Sequence, residues 1–250
     1  MEKWIYRVSE DFLCDASAKI VGLDCEFTDK VKGTKQKLLP EDKRQRAAVL
    51  QLCVANDIIL FQIFQATKIP CLLKKFLSSG KIWFFGAAID MDRKMLMPYG
   101  LNIRCAFDLQ KMINIHKLDP VVKNKRIPSL YDLSNAVLGT NLEKKGESCK
   151  KIREEGWARP ELSFDQVKYA ALDARLSFEI PRKKWAIKGY DITGYMYNFG
   201  NFNFLSYSST RFNGGIDRSI AVDRNLMVVG TKLQAASSIT LKGAGVQIGQ

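Results

Sequence analysis

The chain has 250 residues, with 39 Lys plus Arg against 26 Asp plus Glu and a formal net charge of +13. A hydrophobic share of 46% fills a core and excludes a wholly disordered chain, and the length fits one domain with an appendage. The positive excess points to an anionic partner, nucleic acid or an acidic membrane surface, without choosing between them. Six cysteines are scattered with no C-x-x-C pair, which argues against a zinc module or a disulfide scaffold. His116 is the one histidine, so any mechanism needing a histidine base depends on that residue. It stands beside apolar neighbours with nothing resembling a triad, and reads as structural. Met1 to Val21 carries Glu2, Glu10, Asp11 and Asp15 without an apolar core, unlike a signal peptide, and every apolar run is too short for a membrane span. The expectation is a soluble chain of cytosol or nucleus, not secreted.

In chain order, Ala18 to Phe27 reads as a strand, followed by a polar loop over 28–46 with more bases than acids. Strands are expected at Ala47–Val54 and Ile58–Phe64, turning at Ala-Asn-Asp. Pro70–Leu77 predicts a short helix closed by Gly80, and Lys81–Phe85 a strand. A helix follows at Asp90–Leu96, a strand at Ile103–Phe107, and helices at Leu109–Ile115 and Pro128–Leu138 with Gly139 behind it. Residues 143–159 are charged and loop-like. Ser163 to Gln166 has the form of a capping box, with Leu162 and Val167 at the staple positions. The stripe Val167, Ala171, Ala174, Phe178 then predicts a helix that Pro181 stops. Strands first and helices interleaved afterwards make an α/β domain with a mixed sheet over 1–181. Residues 182–250 read as a divergent basic, aromatic and Gly/Ser-rich tail, with weak strand patterns and no helical period.

Three features carry chemistry. Asp24 and Glu26 are two apart on a strand and share a face, with Cys25 on the other. Two acids on an apolar strand either lie on an exposed edge or await a cation. Asp90 and Asp92 follow a strand and open a helix; Asp90 is a plausible N-cap, leaving Asp92 to face a cleft. Tyr169 and Asp173, four apart on the capped helix, share a face. They are either a packing tyrosine and a solvated acid or a second half of the same site.

Together these segments resemble the DEDD superfamily of 3′–5′ exonucleases. Val21-Gly-Leu-Asp-Cys-Glu-Phe27 looks like its first motif, and Gly86-Ala-Ala-Ile-Asp-Met-Asp92 its second, a register that selects Asp92 over Asp90. Tyr169-Ala-Ala-Leu-Asp173 has the Tyr-x-x-x-Asp spacing of the tyrosine subclass, and Ser129 to Gly139 fits the helix between motifs two and three. The nearest groups are the Werner-syndrome-like exonucleases, plant-type ones especially, and more distantly RNase D. The resemblance covers about 19–181 and implies an RNase H-like fold, with Asp24, Glu26, Asp92 and Asp173 binding two divalent ions, Mg²⁺ or Mn²⁺. Hard cations take oxygen ligands, in keeping with this set. It implies that Tyr169 orients the attacking water and the scissile phosphate. The implied reaction removes nucleoside 5′-monophosphates from single-stranded 3′ ends of DNA or RNA. Basic groups that could draw in phosphates are Lys35, Lys37, Arg44 and Arg46 in the loop, and Lys123, Lys125 and Arg126. The alternatives are a catalytically inactive nucleic-acid-binding module of the same fold and an interaction protein using the aromatic tail.

Overall fold

The computed structural model describes residues 1–31, 33, 35, 38–40, 43–55, 57–114, 127–142, 147–190, 225–229 and 247–249. The segment Ala47–Val54 is apolar at every position but Gln51, the pattern of a strand covered on both faces. It forms β2, buried along its whole length, between β1 (Ile20–Phe27) and β3 (Asp57–Phe61), antiparallel to both. On the far side of β1 lie β4 (Trp83–Gly86) and β5 (Ala106–Asp108), each parallel to its neighbour. The mixed sheet expected from sequence is therefore present, and its neighbours in order are β5-β4-β1-β2-β3. Two strands within the compositionally distinct tail, β6 (Asn225–Val229) and β7 (Gln247–Gly249), extend it in parallel beyond β3. The strand patterns there are weak because the apolar run of β6 is short and β7 holds a single Ile between Gln and Gly.

Helices cover the sheet: α1 (Glu2–Val8), α2 (Cys71–Leu77), α3 (Ile89–Leu96), α4 (Leu109–Met112), α5 (Leu130–Leu138), α6 (Glu147–Glu154) and α7 (Phe164–Lys184). Two helix starts follow local chemistry. Ser129 and Asp132 form a reciprocal capping box at α5, and Ser163 and Gln166 do the same at α7. Gly139 ends α5 with φ of 73°, a left-handed conformation that costs glycine little.

Several expectations are corrected. Pro181 does not stop α7 but lies buried in its last turn. Proline here gives up one i→i−4 hydrogen bond, and the packing of α7 carries the helix past it. Packing continues past it to Tyr190, whose ring meets Phe178 at 5.1 Å and whose hydroxyl accepts from the Ile20 N–H at 2.7 Å. The charged stretch read as loop contains α6, which buries Ile152, while its charges conceal the helical period. The helix expected to reach Ile115 ends at Met112, because Ile113 is extended. The strand read to Phe64 ends at Phe61 and gives way to a 3₁₀ turn over Ile63–Gln65. His116, Lys37, Lys123, Lys125 and Arg126 lie outside the described residues. Among the described residues no helix is long and apolar enough to cross a membrane.

Candidate active site

Glycine brings the two halves of the site together. A β-carbon on Gly22 would lie 2.3 Å from the Ala174 carbonyl oxygen and 2.5 Å from the Phe178 nitrogen. Only a residue without a side chain lets α7 lie this close to β1. Strand alternation then carries the Gly22 face on to Asp24 and Glu26, while Cys25 points away and is buried. On α7, Asp173 precedes the contact residue Ala174. One carboxylate oxygen each from Asp24, Glu26 and Asp173 lie within 4.8 Å of one another. Asp24 and Glu26 are half-buried and Asp173 is sealed from solvent.

Asp92, on α3, lies outside that three-carboxylate group but near enough to Asp24 and Glu26 for their charges to act on it. It is 3% exposed, and its carboxyl is held well above the usual range, first by burial and then by the charges of Asp24 and Glu26. Its placement depends on the turn after β4. A β-carbon on Gly86 would meet the Leu23 carbonyl oxygen at 2.6 Å. Ala88 then takes the N-cap with a left-handed φ of 58°, its N–H donating to Asp108 Oδ1 at 3.1 Å. Asp90 is therefore not the N-cap: it is exposed and pairs with Lys111 at 2.6 Å and Arg93 at 3.5 Å. The N-cap role falls to a backbone that no sequence pattern flags, with the capping acid arriving from β5.

Tyr169 is one turn before Asp173 and 1% exposed. The α7 start is fixed by Gln166, whose amide donates to the Gly156 carbonyl at 3.0 Å, and Trp157 packs on the Tyr169 ring at 6.1 Å. Burial, then the charges of Asp173, Glu26 and Asp24, push the phenol far above its ordinary value, opposed by Arg153. The hydroxyl therefore stays protonated and can donate a hydrogen bond at any working pH. The Cys25 thiol is also pushed well up, by burial and then by Asp92, Asp24 and Glu26, which makes it no thiolate nucleophile.

The sequence reading missed two neighbours. Gln51 of β2 pairs directly with Asp24 in the antiparallel ladder, so the two side chains share a face. It is fully buried, and neither amide atom has a hydrogen-bond partner among the described residues. One polar residue in an otherwise apolar strand was the available signal. Arg153, on α6, acts electrostatically on Tyr169 and was hidden in a charge run read as loop. Of the expected phosphate-drawing groups, Lys35 and Arg44 are exposed on the β1–β2 loop, which leaves the strand after Phe27. Arg46 is half-buried with its guanidinium 5.5 Å from the Phe64 ring centre.

The centre suits hard divalent cations. Its donors are carboxylate oxygens, which such ions prefer, and close-packed like charges in a part-buried cleft are relieved by a cation.

Residues 9–184 match the family model described as 3′-5′ exonuclease. The chain belongs to this 3′–5′ exonuclease family. It is 31% identical over 186 residues to a protein of Acanthamoeba polyphaga mimivirus named for 3′–5′ exonuclease activity, covering 72% of this chain and 42% of that one. It is 32% identical over 179 residues to the mouse (Mus musculus) bifunctional 3′–5′ exonuclease/ATP-dependent helicase WRN, covering 70% of this chain and 12% of that one. The match thus spans less than half of either relative. Among solved structures, RNase D of Trypanosoma brucei superposes with a TM-score of 0.53 at 20% identity, covering 73% of this chain and 61% of that one. NrnC of Brucella melitensis gives 0.51 at 19% identity, covering 70% and 76%. These likenesses show the RNase H-like exonuclease fold expected from sequence.

Proposed function

We propose that the chain is a metal-dependent 3′–5′ exonuclease of the tyrosine subclass, hydrolysing phosphodiesters at single-stranded 3′ ends to nucleoside 5′-monophosphates. The observation that carries this reading is the meeting of Asp24, Glu26 and Asp173 within 4.8 Å, with Asp92 close enough to shift electrostatically and Tyr169 one turn from Asp173. Asp24, Glu26, Asp92 and Asp173 would hold two Mg²⁺ or Mn²⁺ ions. When bound, such ions neutralise the phosphate and make water acidic enough to supply hydroxide near neutral pH.

The remaining work belongs to the side chains. Tyr169, held protonated by burial, donates a hydrogen bond that orients the attacked phosphate or the attacking water. The acids repel an anionic strand, so entry depends on cations around the cleft. Lys35, Arg44 and Arg46 leave and re-enter the sheet at the site end of β1, and this supports a phosphate-steering role for them. Family membership and the 32% identity to the WRN protein support the affiliation with Werner-syndrome-like enzymes.

The test is digestion of a 5′-labelled single-stranded oligonucleotide in Mn²⁺. A ladder that shortens from the 3′ end, absent with EDTA or with Asp24→Ala, supports the reading. Binding without cleavage in either cation supports the inactive-module alternative and overturns this one.

A further inference from the structure

The sheet face that carries the acids passes under α7 and ends in an aromatic strip with two exposed indoles. Aligned residues of parallel strands share a face, so Ile20 and Gly22 place Trp83 and Phe85 of β4 on the α7 side, and Phe85 places Phe107 of β5 there. The rings connect accordingly. Trp83 meets Phe107 at 5.6 Å, Phe107 meets Phe85 at 5.4 Å, and Phe85 meets Trp185, which follows α7, at 5.7 Å. Phe85 is sealed at 2%, yet Trp83 and Trp185 are 43% and 40% exposed. The chain's other two tryptophans, Trp4 and Trp157, are buried.

Cations frame these two exposed indoles. Lys81 precedes Trp83 by two residues, and Lys183 and Lys184 run directly into Trp185. Arg104 lies just before β5, its guanidinium carbon 3.3 Å from where a Gly80 β-carbon would sit. All four are exposed, and none is ion-paired with a carboxylate among the described residues. The nearest buried acid on α7, Glu179, is taken by Arg175 and Arg182.

Exposed indoles amid unpaired cations have the chemistry of a single-strand stacking platform. We infer that this strip binds single-stranded nucleic acid, Trp83 and Trp185 stacking on bases while Lys81, Arg104, Lys183 and Lys184 meet phosphates. The inference rests on the exonuclease reading: the bound stretch is the part of the substrate behind the 3′ end. Trp83 is level with Ile20, four residues from Asp24 along β1, or about 13 Å. At the axial rise of a stacked strand, about 3.4 Å per nucleotide, that spans roughly four nucleotides. Longer substrates therefore reach the strip and dinucleotides do not. A second copy of the chain is the poorer occupant, because a self-paired patch would bring like charges face to face.

The test uses the full chain and its own tryptophan fluorescence in EDTA, where cleavage is suppressed. Iodide quenching reports Trp83 and Trp185 because the other two are buried. A long single-stranded oligonucleotide is expected to shield them from iodide, a dinucleotide is not, and Lys183→Glu with Lys184→Glu is expected to abolish the shielding. In Mn²⁺, Trp83→Leu with Trp185→Leu is expected to raise KM for the long substrate by about tenfold, a typical loss for one stacked base. Its kcat and its dinucleotide kinetics stay at wild-type values. Unchanged iodide access in the presence of long oligonucleotide overturns the inference, and normal dinucleotide hydrolysis beside it leaves the active site standing. Concentration-dependent shielding without nucleic acid also overturns it, assigning the strip to self-association. Shielding without hydrolysis of either substrate supports the strip and counts against the active-site reading.

Discussion

A β-carbon added to Gly22 would stand 2.3 Å from the carbonyl oxygen of Ala174. That clearance sets the separation of β1 and α7, and with it the distance from Asp24 and Glu26 to Asp173. Gly22→Ala forces backbone apart at a closely packed crossing, and overpacking of this kind costs about 1–3 kcal/mol. Denaturant melts should show that loss. The variant's Mn²⁺-dependent turnover should fall further than its folded fraction does, because the acids separate. Turnover that simply tracks the folded fraction would show that the crossing does not position the acids.

Gln51 lies across the ladder from Asp24 with both amide atoms buried and lacking hydrogen-bond partners among the described residues. Leaving such a group unsatisfied costs about 1–3 kcal/mol, so an apolar replacement of similar size relieves it. Gln51→Met is expected to hold or raise the melting temperature in EDTA and to shrink the further rise caused by Mn²⁺. An undiminished Mn²⁺ response would make Gln51 a packing residue alone.

Asp92 gives the metal-free protein a pH dependence of definite sign. Its carboxyl is raised in the folded state by burial and by Asp24 and Glu26, so the native chain binds this proton more tightly than the unfolded chain does. The contribution is full below the ordinary carboxylate value and is lost as pH climbs towards the raised one. Asp92→Asn, which carries no charge, should flatten this slope in EDTA. It should also gain at neutral pH about 2–4 °C for each kcal/mol relieved in a domain of this size. The same variant should lose turnover. Thermal melts across acidic and neutral pH test the pair, and an unchanged slope in the variant would discard the electrostatic account.

Tyr169→Phe keeps the ring that packs on Trp157 and removes only the hydroxyl. The fold should hold, while kcat should fall about 10²–10³-fold, the usual loss of one donor to developing charge. The pH–rate profile should keep its shape, since the phenol does not titrate in the working range. Loss of an alkaline limb in the variant would instead assign the tyrosine a proton-transfer role.

The site was legible where local chemistry and geometry coincide. Ser163 and Gln166 announce the start of α7, and strand and helix periods put Asp24 with Glu26 and Tyr169 with Asp173. Asp92 was separated from Asp90 only by family register. The structural reason, the left-handed Ala88 capped by Asp108 from another strand, is a tertiary contact across twenty residues. Pro181 misled because the packing of α7 carries the helix past a lost hydrogen bond, and α6 was hidden because its buried Ile152 is surrounded by charge. Gln51 was visible as the lone polar residue of a buried strand, but its meaning depends on the pairing register with β1.

The central claim is that Asp24, Glu26, Asp92 and Asp173 together hold divalent cations. Calorimetric titration of the full chain with Mn²⁺ measures this without substrate. The account predicts binding of two ions per chain, with proton release as the Asp92 carboxyl ionises, and weakened binding in Asp173→Asn material that melts as a folded protein. Equal heats from the wild type and that folded variant would contradict it.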